Sequence, residues 1–344
     1  MGRAVTVPEQ LRVLELGTVS PLRSQTLWHA IAKEVSGGET PTLSFLRTDA
    51  GCVSIGYHRS LDEVDVGHCS RRGWPVYRRM VGGGPVFLDG AQLLFQISLP
   101  AKAVPASRGQ ALRSLLGPAV AAFRAAGVPA RLDEEMEVVV ADRKVCGYGA
   151  GQIDAAVVLV GNLIESFDHE SATSVLEVPD PVSRSELLRL MRRYVGCPED
   201  TSADARAFIG AAVDAFAGAL GLRPRSGELS GAELDHMELL DRKFVDGGWL
   251  AGPDRPRSAG WKAKIRSGVW VLTGRSGGVR VRASVVGNRV ERMDIEAPGD
   301  GEVRSAAAGV TGRTLAEARA LLCECGAFGR AAAEAIGQAG VLVG

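Results

Sequence analysis

Apolar positions recur at helical spacing over residues 24–35, where Leu27, Trp28, Ala30 and Ile31 form one side behind a polar start, and this predicts a helix. Runs suited to strands follow at 42–46, 52–56, 76–79 and 93–98, punctuated by Gly51, Gly56, Gly73 and Gly90. Residues 110–126 return to helical spacing and stop at Gly127, a residue type that closes helices by turning left-handed. Residues 137–140 and 145–147 flank Ala141-Asp142-Arg143, which predicts a hairpin with Lys144 just past its turn. A buried strand is expected at 155–164, then helices at 185–193, 204–220 and 231–244.

The stretch 251–258 is poor in apolar residues and carries Pro253 and Pro256, so a boundary is expected there, between a first domain 1–252 and a second at 259–344. A chain of 344 residues suits two domains, at roughly 100 to 200 residues each. Within the second, strands at 269–272, 279–286 and 290–295 alternate with turns at Ser276-Gly277-Gly278 and Gly287-Asn288, and helices at 315–323 and 329–337 close the chain. Strands and helices mixed in this way predict an α+β protein with a small α+β module at its C-terminal end.

Composition removes several function classes. Forty Lys plus Arg balance forty Asp plus Glu, so no global field points to a nucleic-acid or membrane partner. The six cysteines form no CxxC pair and the five histidines no HxxxH spacing, which predicts neither a disulfide framework nor a metal held by His or Cys. No apolar leader opens the sequence and no run nears about 18 apolar residues, so a soluble, cytoplasmic protein is expected.

The chemistry concentrates in two segments. Arg78-Arg79-Met80-Val81-Gly82-Gly83-Gly84-Pro85-Val86-Phe87-Leu88-Asp89 strips the side chains from three consecutive backbone units, so a ligand can lie against amide N–H groups. Strand alternation lets only one of Arg78 and Arg79 face that ligand, the other meeting solvent. The second segment is Asp142-Arg143-Lys144-Val145-Cys146-Gly147. Only six of the forty basic residues are Lys, so Lys144 is a departure from the chain's habit; a compact ammonium follows charge between oxygens better than a planar guanidinium does. Cys146 falls on the Lys144 side by alternation, without a nearby histidine to serve as its base.

These two segments, with Arg131-Leu132-Asp133 between them, resemble the lipoate–protein ligase family, relatives of biotin protein ligases and octanoyltransferases. Its pattern is an arginine pair, a variable pair, a glycine triplet, a small residue, an aromatic and Asp, then an Asn-Asp about a dozen residues before an essential lysine; here Asp133 stands eleven positions before Lys144. Ser54-Ile55-Gly56-Tyr57-His58 and Gly161-Asn162-Leu163-Ile164 agree in order. The resemblance spans most of residues 20–250 and implies a class II synthetase-like biotin/lipoate ligase fold, a mixed sheet with flanking helices. It also implies ATP, Mg²⁺ and lipoate as cofactors and substrate, and as partner a lipoyl-carrier domain of the 2-oxoacid dehydrogenase E2 or glycine-cleavage H type. On the same ground Lys144 would be catalytic, Arg78, Gly82, Gly83, Gly84, Phe87, Asp133, Gly147 and Gly161 would hold acyl group and adenylate, and Tyr57 and His58 would touch ligand. The chain departs from the pattern at Leu132 for Asn, Leu88 and Val160 for His, and Arg59 for Gln.

Other readings stay open at this level. An ATP-independent octanoyl or lipoyl transferase of the same group uses a cysteine near the strand corresponding to 161–164, where this chain has none. A non-catalytic lipoate or biotin binder suits Leu132, and a biotin ligase suits the glycine triplet less well.

Overall fold

The computed structural model describes residues 9–197, 203–253, 260–297, 305 and 307–340. They divide into two compact units, the described parts of Met1–Val175 with Gly196–Asp254, and of Leu176–Val195 with Arg255–Gly344. Residues 176–195, which the sequence places in the first domain, thus belong with the second unit. Residues 254–258 of the expected linker and the opening residues 1–8 lie outside the described residues.

The first unit is built on a six-stranded mixed sheet in the order β10-β11-β6-β2-β1-β12, from β1 (Gln10–Val19), β2 (Thr42–Thr48), β6 (Gln92–Pro100), β10 (Tyr148–Ile153), β11 (Ala156–Ile164) and β12 (Arg223–Ser226). β1 runs parallel to β2 and β12, while β6 is antiparallel to β2 and β11. Strand β1 was not expected, because a register shift between Glu15 and Thr18, with Gly17 at φ 64°, interrupts its alternation. β6 is buried throughout except at Pro100. Leu93, Phe95, Ile97 and Leu99 join one core with α3 (Arg108–Ala125) and α6 (Ala205–Leu220), where Phe208 contacts both Phe95 and Phe123. The other face is covered by α1 (Pro21–Gly37), on which α7 (Gly231–Phe244) packs. Ser20 caps α1 by accepting from the Arg23 N–H, and Gly38 at φ 110° closes it.

Two small sheets carry the candidate chemistry. One has the order β4-β3-β5, from β3 (Cys52–Ile55), β4 (Val76–Arg78) and β5 (Val86–Leu88), with the glycine triplet between β4 and β5. The other is β7 (Arg131–Leu132), β8 (Val138–Val140) and β9 (Arg143–Cys146).

In the second unit, β13 (Trp261–Arg266), β14 (Val269–Ser276), β15 (Val279–Val286) and β16 (Arg289–Glu296) form an antiparallel meander. The helix Gly326–Gly340 packs on β14 and β15 so closely that a Cβ at Gly274 would stand 1.9 Å from the Ala335 carbonyl. The helix Pro181–Tyr194 packs on β13 and β14, with a Ser183–Thr273 hydroxyl contact at 2.8 Å and an Asp180–Arg282 ion pair at 3.0 Å.

Candidate active site

The glycine segment leaves β4 as a loop whose carbonyls are turned inward. Arg79 is 9% exposed; its Nη2 donates to the carbonyls of Gly82 (2.9 Å) and Gly84 (2.8 Å), and its Nη1 donates to the Ser54 carbonyl at 2.7 Å. The Gly83 carbonyl faces Gly56 so closely that a Cβ there would stand 2.0 Å from it, and the Tyr57 N–H donates to Val81 O at 2.9 Å. In a trans peptide the N–H points opposite to its C=O. Holding the Gly82 and Gly83 carbonyls inward therefore turns the N–H groups of Gly83 and Gly84 outward, and neither has an acceptor among the described residues. A Cβ at Gly82 or Gly84 would meet open space, so the bare side of the loop is accessible to a ligand. Burial lowers the Arg79 pKa to about 10, which still leaves a cation behind the loop at neutral pH.

Both arginines are buried, against the expectation of one in solvent. Arg78 is fully buried and donates to five carbonyls, those of Gly56, Tyr57, Arg59, Leu250 and Ala251, at 2.7–3.1 Å. Its expected place against a ligand anion is thus replaced by a clamp on two backbone segments of the first unit. Trp249 donates its indole N–H to the Arg78 carbonyl at 2.8 Å.

Lys144 lies within β9, opposite Val139, with the turn tightened to Ala141-Asp142 by Ala141 at φ 51°. Its ammonium donates to Glu137 Oε1 at 3.0 Å, with the lysine side chain 21% and the glutamate side chain 6% exposed. Asp133 shapes that partner: its Oδ1 accepts from the Glu135 and Glu137 N–H groups, at 3.0 and 2.8 Å, across a turn in which Met136 is left-handed (φ 65°). Glu137 was missed by sequence, where it reads as one more acid in a run with Glu134 and Glu135. Leu132, in place of the pattern's Asn, packs against the first core.

A register shift between Val138 and Val139 breaks the alternation in this hairpin. Val145 and Cys146 are both fully buried as a result, so Cys146 does not share the partly exposed setting of Lys144. Burial pushes the Cys146 thiol up to about 12, and its Sγ lies 3.4 Å from the Gly147 carbonyl.

From Lys144 the chain passes through Gly147 into β10, which lies against the glycine loop: a Cβ at Gly149 would be 3.8 Å from Gly82 O, and one at Gly151 2.7 Å from Val81 Cγ1. This β10 contact, with its two glycines, brings the lysine-bearing segment and the loop together. Gly147 donates its N–H to Asn162 Oδ1 at 2.6 Å, and Asn162 donates to Gln92 at 2.7 Å. Gly161 serves packing, since a Cβ would come within 2.4 Å of the Phe95 ring. Phe87 is buried against Trp74, with ring centroids 4.7 Å apart. Tyr57 and His58 are exposed beside each other at 4.8 Å, and Tyr57 lies 5.8 Å from Trp249.

A bare amide loop on one small sheet and a tethered lysine on another are the kind of groups that can hold a carboxylate or phosphate ester against fixed N–H donors. Residues 20–197 match the lipoyl protein ligase A/B catalytic domain, and the chain belongs to that family. It is 28% identical to the octanoyltransferase LipM of Kyrpidia tusciae over 268 residues, 69% of this chain and 97% of that protein. The fold is that of lipoate protein ligases. The bi-partite archaeal ligase of Thermoplasma acidophilum, studied with its E2 lipoyl domain, superposes with a TM-score of 0.65 at 24% identity, covering 72% of this chain and 98% of that one. A lipoate-protein ligase A bound with ATP superposes at 0.60 and 22% identity, covering 72% and 99%.

Proposed function

We propose that the chain is an ATP-dependent lipoate–protein ligase. The carboxylate of lipoate, or of octanoate, attacks the α-phosphorus of ATP, forming an acyl-adenylate and expelling pyrophosphate; the ε-amine of a lysine on a lipoyl-carrier domain then attacks the acyl carbonyl and AMP leaves. Lys144 stabilises charge as it moves between acyl and α-phosphate oxygens, exchanging its Glu137 partner for the ligand, while the Gly83 and Gly84 N–H groups receive ligand oxygens. Mg²⁺ would enter with the triphosphate, keeping several of its waters. The neighbour bound with ATP and the relative studied with an E2 lipoyl domain support these choices of nucleotide and partner.

The observation that supports this reading over a thiol route through Cys146 is the state of that residue. An acyl-thioester mechanism needs an accessible thiolate, and this thiol is buried with its pKa near 12. The second reading, an ATP-independent octanoyltransferase, is favoured by the near full-length match to LipM. Pyrophosphate release from ATP with lipoate, octanoate or biotin separates the two: acid-dependent release supports the ligase. Acyl transfer from an octanoylated carrier without ATP, with no pyrophosphate formed, supports the transferase.

A further inference from the structure

Helix α1 carries a buried polar stripe that the proposed reaction does not use. Ser24, Gln25, Thr26 and His29 are 0–3% exposed on a helix otherwise buried through Leu27, Trp28, Ala30, Ile31 and Ala32. Buried polar groups are costly unless bonded, so the destination of their hydrogen bonds indicates what they do. His29, one turn after Gln25, bonds the segment that bears the glycine triplet directly, and Gln25 is linked to it through Ser54.

His29 Nδ1 lies 2.6 Å from the Gln25 carbonyl, which as an acceptor fixes the proton on Nδ1. Nε2 is then an acceptor, and it receives the Met80 N–H at 3.0 Å, two residues before Gly82. The other arm starts at Gln25, whose Oε1 accepts from Ser54 Oγ at 2.6 Å. Ser54 in turn receives Arg79 Nη1 on its carbonyl (2.7 Å) and its hydroxyl (3.3 Å), and Arg79 holds the Gly82 and Gly84 carbonyls. The orientation of the Gly83 and Gly84 N–H groups is therefore set from two anchor points on one helix. Burial lowers the His29 pKa to about 3, which keeps the ring neutral and Nε2 available as an acceptor.

We infer that His29 and Gln25 are positioning residues for ligand binding: they mount the glycine loop on α1 so that its outward N–H groups are held ready for the acyl or adenylate oxygens. This rests on reading that loop as the ligand seat. Glutamine at position 29 can offer Oε1 where the imidazole offers Nε2, whereas leucine leaves the Met80 N–H buried without an acceptor.

The test uses the full-length chain with His29→Gln, His29→Leu and, as a core substitution in α3 matched for lost thermal stability, Leu116→Ala. Hydrogen exchange of the Met80 amide is expected to be at least roughly tenfold faster in His29→Leu, near wild type in His29→Gln, and unaffected in Leu116→Ala. Calorimetric titration with lipoate is expected to show a similar loss of affinity in His29→Leu alone. Unchanged exchange in His29→Leu, equal acceleration in Leu116→Ala, or faster exchange with undiminished lipoate affinity would each overturn the inference. A wild-type chain that binds neither lipoate nor octanoate overturns the reading of the site itself; that failure is distinct, because the exchange comparison needs no ligand.

Discussion

Lys144 and Glu137 face each other across the β8–β9 hairpin, with the ammonium 3.0 Å from a carboxylate that is almost entirely buried. Lys144→Ala takes the ammonium away from that carboxylate, so it should lower the melting temperature as well as remove the electrostatic stabilisation of the reacting phosphate, and turnover is compared where the variant is still folded. The expected loss in kcat is on the order of 3 kcal/mol, roughly a hundredfold or more. Lys144→Arg should be nearly as poor, because a planar guanidinium locks to one carboxylate. Steady-state pyrophosphate release, with a melting curve for each variant, checks this; wild-type turnover in the alanine variant would remove Lys144 from the mechanism.

Gly56→Ala should displace the glycine loop, since its Cβ would meet the Gly83 carbonyl at 2.0 Å and neither backbone can yield cheaply. Gly83→Val adds strain of its own, at φ 104° and with Arg79 Nη2 2.5 Å from the new Cβ. Both variants should lose affinity for an acyl-adenylate mimic by more than their change in melting temperature implies. Retained affinity in a folded Gly83→Val protein would reduce the loop to a turn.

Cys146→Ala should keep most of the acyl transfer, and native protein should protect this thiol from a maleimide at pH 7. The thiol is fully buried with its pKa pushed up to about 12, so its thiolate population is negligible. Loss of transfer in a stable Cys146→Ala variant would revive the thioester route.

His29 makes stability depend on pH in a predictable direction. The folded ring titrates near 3, chiefly from desolvation and then, against the Gln25 hydrogen bond, from Lys243 and Arg79, whereas an unfolded histidine titrates near 6.5. Between those values the unfolded chain holds the extra proton. This contribution is therefore complete above pH 6.5 and falls by about 1.4 kcal/mol per pH unit below it. Urea denaturation between pH 7 and 5 should give a shallower slope for His29→Gln, by about one proton; identical slopes would contradict a neutral buried ring.

Truncation after Pro253 should yield an unstable, aggregation-prone protein and not a clean catalytic domain. The helix Pro181–Tyr194 stays in the shortened chain while β13 and β14, on which it packs, are removed. Light scattering of the truncated chain tests this, and a monodisperse, fully active fragment would refute it.

The periodicities and apolar runs were sufficient for α1, α3, α6 and α7, for the strands expected at 42–46 and 93–98, and for three strands of the second unit's meander, while its first strand, β13, was not expected. The glycine triplet and Lys144 were also legible, as unusual residue choices in a chain that otherwise writes its cations as Arg. What the sequence could not reveal depends on contacts distant along the chain. Arg78 and Arg79 read as ligand-facing and solvent-facing, yet both are buried, because carbonyls from residues 54–59, 82–84 and 250–251 converge on them. Cys146 left the lysine's setting through a bulge, which shifts a two-residue alternation by one. Glu137 read as one more acid in a run, and His29 carried no reading of its own. Only the tertiary structure made them the partner of Lys144 and the anchor of Met80, the first across a bulged hairpin and the second across 51 residues, and neither contact leaves a periodic trace in the chain.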